Sequence, residues 1–154
     1  MQSFRCHCGS QVFFDNTRCV TCSRELAFMP WMGEMTTIVS ALPEGFEALV
    51  DGMVYRKCGN YFEEGVCNWL LPRGEEGSLC QACSLNRIVP DLSEPENRTL
   101  WATMEAAKRR LLYSLNRLSL PLDATLRSDL RLRFDIKEDT PSERATTGHS
   151  NGLI

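Results

Sequence analysis

The residues best able to do chemistry in this sequence are its eight cysteines, which fall into two groups of four among 154 residues. Cys6, Cys8, Cys19 and Cys22 follow the pattern C-x-C, ten residues, C-x-x-C. Cys58, Cys67, Cys80 and Cys83 follow C-x8-C-x12-C-x-x-C. A C-x-x-C pair can put two sulfurs on one tetrahedral ion from a single tight turn. Zinc takes four thiolates at about 2.3 Å with no redox cost. Each group therefore reads as one zinc site, two ions per chain. Four protein ligands leave no open position for water or substrate, so both sites are expected to be structural. Four cysteines also suit iron in a rubredoxin-like site, the main rival metal.

Other chemistries compete for these cysteines. A disulfide framework is one, but the chain starts Met-Gln-Ser-Phe-Arg-Cys-His-Cys, without the apolar stretch of a signal peptide. A cytosolic chain with reduced thiols is expected instead. Thiol–disulfide exchange by C-x-x-C usually sits beside a βαβ pattern, whereas here each pair has two further cysteines near it. His7 lies between two ligands and would complete a Cys3His site if one cysteine were free. A catalytic zinc is usually held by histidines or carboxylates, and the only histidines are His7 and His149. No catalytic residue is assigned.

The formal net charge is −3, which does not suggest a general nucleic-acid binder, and no run of 18 apolar residues predicts a membrane span. Thiolate clusters add negative charge of their own. Arg5, Arg18 and Arg24 near the first cluster, and Arg56, Lys57 and Arg87 near the second, either offset it as an outer shell or are solvated surface residues.

The elements that must position these sulfurs can be read coarsely. Residues 1–28 form a small two-hairpin knuckle, with Val12, Phe13 and Phe14 as a short strand before an Asp15-Asn16-Thr17 turn. So short a module has almost no core, and metal would supply most of its folding free energy. Residues 29–48, with Pro30, Gly33, Pro43 and Gly45, read as a connection. Residues 49–92 hold the second cluster, with an apolar strand at Cys67-Asn68-Trp69-Leu70-Leu71-Pro72. A helix over about 94–119 follows, with a capping box at Ser93 and Glu96 and Pro95 in its first turn. Leu100, Trp101, Met104, Ala107, Leu111, Leu112, Leu115 and Leu118 give it one apolar stripe. Lys108-Arg109-Arg110 reads as a solvated face, with contact to a nucleic acid or an acidic partner as the alternative. Leu130, Leu132, Phe134 and Ile136 alternate with Arg131, Arg133, Asp135 and Lys137 as a half-buried strand. Gly148 to Ile154 read as a turn and the start of another strand.

Taken together, several stretches resemble the N-terminal region of the bacterial zinc-ribbon-containing family of putative zinc-binding metallopeptidases. They are Phe4-Arg5-Cys6-His7-Cys8-Gly9 with Val12-Phe13-Phe14, Cys19 to Cys22 with Leu26-Ala27-Phe28, and Cys67-Asn68-Trp69. Cys80-Gln81-Ala82-Cys83 with Asn86-Arg87 and Pro90-Asp91-Leu92, Ala107 to Leu111, and Gly148-His149 with Gly152-Leu153-Ile154 complete the set. The resemblance implies zinc ligands at all eight cysteines. It also implies a catalytic H-E-x-x-H motif beyond the equivalent of Ile154, and here neither His7 nor His149 is followed by glutamate.

The sequence thus predicts an α+β chain: a zinc ribbon, a second four-cysteine site, one long amphipathic helix and a partial sheet over 93–154 that begins a metallopeptidase-like domain. The expected role is structural, as the front end of such a protein. The alternative is a recognition module, in which Phe13 and Phe14 stack on bases or the ribbon binds a protein partner. No membrane contact is expected. Self-association is expected if Leu153 and Ile154 leave an unpaired strand edge.

Overall fold

The computed structural model describes residues 3–120, 132–150 and 152–154. The chain is mixed α/β and divides into two compact units, Met1–Cys80 and Gln81–Ile154.

The first unit opens with a hairpin, β1 (Ser3–Arg5) against β2 (Gln11–Phe13), in antiparallel register Phe4↔Val12. Alternation puts Phe4 and Val12 inside, and Phe13 outside. An antiparallel meander follows: β3 (Glu25–Met29), β4 (Glu34–Ala41), β5 (Gly45–Ala48), β6 (Met53–Lys57) and β7 (Leu70–Leu71). Its two ends meet. Phe28 bridges Trp69 in parallel, and the Phe28 amide donates to Asn68 O at 2.7 Å, closing the five strands on themselves. Closure removes the exposed edges of an open sheet. The bend into β5 requires glycine, because Gly45 has φ +140° and a Cβ there would lie 2.3 Å from Tyr55 O.

The segment expected to be a connection, residues 29–48, instead contributes β4 and β5. Its glycine and proline residues flank β4, whose Glu-Met-Thr-Thr-Ile-Val-Ser-Ala is rich in β-branched residues and suits a strand. The knuckle does not stand without a core either. Phe14 packs edge-on against Phe28 at 4.9 Å, Phe28 lies 5.1 Å from Trp69, and Asn68 Nδ2 donates to Phe14 O. Such aromatic pairs contribute about 0.5–1.5 kcal/mol beyond the area they bury.

In the second unit β8 (Asn86–Ile88) runs parallel to β9 (Phe134–Asp135), with α2 (Pro95–Arg117) between them in sequence; the one-turn helix of the first unit, Gly59–Phe62, is α1. The terminal residues extend this small sheet: Asp135 N donates to Ile154 O, and Ile154 N to Arg133 O. Among the described residues of the alternating stretch 130–137, only Phe134 and Asp135 form a strand. Leu130 and Arg131 lie outside the described residues.

Helix α2 departs from expectation in two ways. Glu94 is its N-cap and makes no side-chain cap hydrogen bond, so Ser93 and Glu96 do not form the capping box. Ser93 instead bonds Asp91, both backbone N and Oγ meeting Asp91 Oδ1, and Asn97 and Arg98 tie the first turn back to the Asp91 and Leu92 carbonyls. The buried face is Trp101, Glu105, Lys108, Arg109 and Leu112, whereas Leu100, Met104, Leu111 and Leu118 are exposed. Counting apolar residues placed the stripe one position too far round, because Glu105 and Lys108 satisfy each other and can be buried together.

Candidate metal centres

The first cluster is built from two knuckles. Cys6 and Cys8 occupy the β1–β2 turn, where Cys6 N donates to Ser10 O and Gly9 N to Cys6 O, with Gly9 at φ +87°. Cys19 and Cys22 occupy a second turn closed by Cys19 N to Arg24 O and Ser23 N to Cys19 O. Arg5 donates to Gly9 O and Arg18 to Ser23 O, so these two arginines brace the knuckle backbones. From β4, the buried Thr37 reaches the same site: His7 N donates to Thr37 Oγ1 at 3.0 Å, and Cys6 Sγ lies 3.3 Å from that hydroxyl. Nothing in the sequence pattern singled out Thr37, whose position follows from β4 pairing with β3.

The second cluster is assembled from dispersed positions. Cys58 precedes α1, its amide held by Trp69 O. Trp69 N donates to Cys67 Sγ at 3.4 Å and Cys80 N to Cys58 Sγ at 3.3 Å, two backbone donors aimed at sulfur. Gly59 N donates to Ser78 O, fixing the chain before Cys80. Cys83 begins a short 3-10 turn. Arg56, Lys57 and Arg87 are engaged elsewhere: Arg56 with Glu75 O, Lys57 with Glu25 at 2.9 Å and over the Phe46 and Tyr61 rings, and Arg87 with Asp135.

The structure brings all eight predicted cysteines into these two clusters. Within each, the four sulfurs lie within 4.8 Å of one another. Four sulfurs about 2.3 Å from one zinc lie about 3.8 Å apart along a tetrahedron's edges. Cys6 and Cys22 are 3.6 Å apart, Cys8 and Cys19 3.8 Å, and Cys67 and Cys80 3.7 Å. A disulfide needs about 2.0 Å, and none of the eight cysteines is disulfide-bonded. The two sets fit two zinc ions. Among the described residues neither histidine joins a cluster; His7 and His149 are both exposed.

The two clusters differ in exposure. All four cysteines of the second are buried, whereas Cys8 is exposed and Cys22 half-buried in the first. Crowding spreads the acidity of the first set. Hydrogen bonds with the Ser10 side chain and backbone bring the Cys8 thiol down to about 6. The Cys22 thiol is pulled down by the Arg24 backbone, but desolvation and the three neighbouring sulfurs outweigh this and push it up to about 11.

The profile of a zinc-ribbon domain family matches residues 3–94, more than half of the chain and both clusters. The chain belongs to the zinc-ribbon domain family. Residues 97–154 of this zinc-ribbon protein match a second family, described as putative zinc-binding metallo-peptidase, as the sequence resemblance implied. Uncharacterized proteins of Mycobacterium bovis and of two Mycobacterium tuberculosis strains are each 33% identical to it over 156 aligned residues. Those alignments cover all of this chain, which spans 42% of the length of the curated relatives it matches. No solved structure matches it. Among the described residues, no helix is long and apolar enough to cross a membrane.

Proposed function

We propose that this zinc-ribbon protein is a metal-built structural region, the front part of a longer metallopeptidase-like protein whose chemistry is done elsewhere. The observation that carries this reading is the all-cysteine composition of both clusters. Four thiolates fill the coordination shell of each zinc and donate charge to it. Such an ion is a weak Lewis acid with no position for water. Its contribution is to folding, because the energy of binding metal is spent on bringing ligands from separate stretches of the chain to one point. The match of residues 97–154 to a metallo-peptidase family, and the greater length of the relatives, support placing catalysis in another part of such a protein. Recognition of bases by a Phe13–Phe14 platform has less support, since Phe14 is buried against Phe28 and Trp69 and only Phe13 is exposed.

The test compares zinc-loaded chain with a full-length relative on casein and a peptide library. The reading expects two zinc ions and no cleavage by this chain. Chelator-sensitive cleavage by the purified chain, abolished by Cys80→Ser, would overturn it.

A further inference from the structure

Beside the second cluster lies a buried charged group that no part of the proposed function uses. Glu105 is fully buried and Lys108 nearly so, three positions apart on α2. Lys108 Nζ donates to Glu105 Oε1 at 2.7 Å and also to Asn86 Oδ1. Asn86 Nδ2 donates to the same Glu105 Oε1 at 2.8 Å. The three side chains close a triangle, with Lys108 also 5.5 Å from the Phe134 ring centre. This leaves Glu105 Oε2 pointing at the metal-binding residue Cys83, 3.9 Å from its Sγ.

A zinc ion with four thiolates carries two net negative charges, and a carboxylate placed against one of those thiolates raises the local excess. In a water-free setting such charge has to be balanced nearby, and metal ligands depend on outer-shell partners for orientation. Resting on the reading that the second cluster holds zinc, we infer that Lys108 is the counter-ion of that cluster, and that Glu105 and Asn86 position it. Lys108 is pinned by two acceptors. Asn86, at the start of β8 and three residues after Cys83, links the ligand turn to α2. Glu105 reaches from the ammonium to the thiolate.

This assignment differs from an ordinary buried ion pair in a measurable way. In an isolated pair, removing either partner strands the other charge, so both losses are damaging. Beside a doubly negative cluster the two partners are unequal. Glu105→Gln removes one negative charge beside the cluster, keeps a side-chain oxygen and Asn86 Oδ1 for Lys108, and supplies an amide donor near Cys83. Lys108→Met removes the ammonium bonded to this carboxylate and leaves its negative charge against an anionic cluster.

The experiment is chelator competition on the full zinc-loaded chain, with wild type, Glu105→Gln, Lys108→Met and the double variant compared. Wild type should give up two zinc ions. In Lys108→Met one of the two should become about 10–100-fold easier to remove, with the other unchanged. Glu105→Gln should hold both, and the double variant should recover most of the loss. Should Lys108→Met fail to fold, the cobalt-substituted Glu105→Gln and double variants decide. Removing the carboxylate charge beside Cys83 should shift the sulfur-to-cobalt charge-transfer band of one site. Equal weakening in both single variants without recovery in the double, or an unchanged cobalt band, would overturn the inference. Wild type that binds only one zinc would instead refute the zinc reading of the second cluster.

Discussion

Thr37→Val is the change that most directly probes how the strands support the first zinc site. The substitution keeps the β-branched shape and removes one hydroxyl. That hydroxyl accepts from His7 N at 3.0 Å and lies 3.3 Å from Cys6 Sγ, and Thr37 is 2% exposed, so water cannot take its place. With metal bound, Cys6 is a thiolate and the hydroxyl is its donor. A hydrogen bond to a charged group contributes about 1.5–3 kcal/mol, and an orphaned amide costs about 1–3 kcal/mol more, less where solvent reaches it. His7 is exposed, which puts its amide at the low end. The total loss should be about 2–4 kcal/mol of folding stability in the zinc form. The thiolate share alone should weaken zinc at the first cluster about 10–100-fold. Urea unfolding of the zinc-loaded variant measures the first quantity, and chelator competition the second. A variant that unfolds within about 0.5 kcal/mol of wild type, a typical neutral surface change, and gives up zinc no faster would show that β4 does not support the site.

Further outcomes follow from the same geometry. The first cluster, with Cys8 exposed and Cys22 half-buried, should give up its zinc to a colorimetric chelator before the fully buried second cluster does, which stepwise release curves will show. Because the Cys22 thiol is pushed up to about 11, it holds its proton at neutral pH until metal arrives. Zinc loading should therefore release protons into a weakly buffered dye solution, and acidification should expel the metal. Trp69→Ala should cost about 3–5 kcal/mol by urea unfolding, since the side chain is fully buried against Phe14 and Phe28. The Arg87 hydrogen bond holds the Asp135 carboxyl below its ordinary value. The stabilisation from that pair is present above the ordinary carboxylate range and is lost as pH falls through the depressed value. In Arg87→Ala, NMR titration should show the Asp135 carboxyl rising toward normal.

The ligand sets were legible because their chemistry is local. A C-x-x-C turn carries two ligands wherever it sits, and the Val12 strand and the long helix each announce themselves by a period of their own. What stayed hidden depends on contacts distant in sequence. Residues 34–41 look like a connection between glycines and prolines. They become β4 because β3 and β5 pair on either side, and that pairing carries Thr37 to Cys6. The α2 stripe was misplaced for a related reason. Periodicity counts Glu105 and Lys108 as outward-facing polar residues, and only Asn86 and Cys83, some twenty positions earlier, explain why they are buried. The bridge between Phe28 and Trp69 that joins the two ends of the five-stranded sheet has no local signature at all, since each residue alone reads as an ordinary apolar position.

Both clusters of this chain fit zinc in closed four-cysteine sites. Native mass spectrometry of reduced protein, prepared with both zinc and iron available, tests this most directly. The expected result is a colourless protein whose mass exceeds the apo chain by two zinc ions, each displacing thiol protons, and in which Cys19→Ser and Cys80→Ser each lose one ion. A fully reduced, metal-replete chain carrying a single zinc, or a red protein carrying iron, would contradict it.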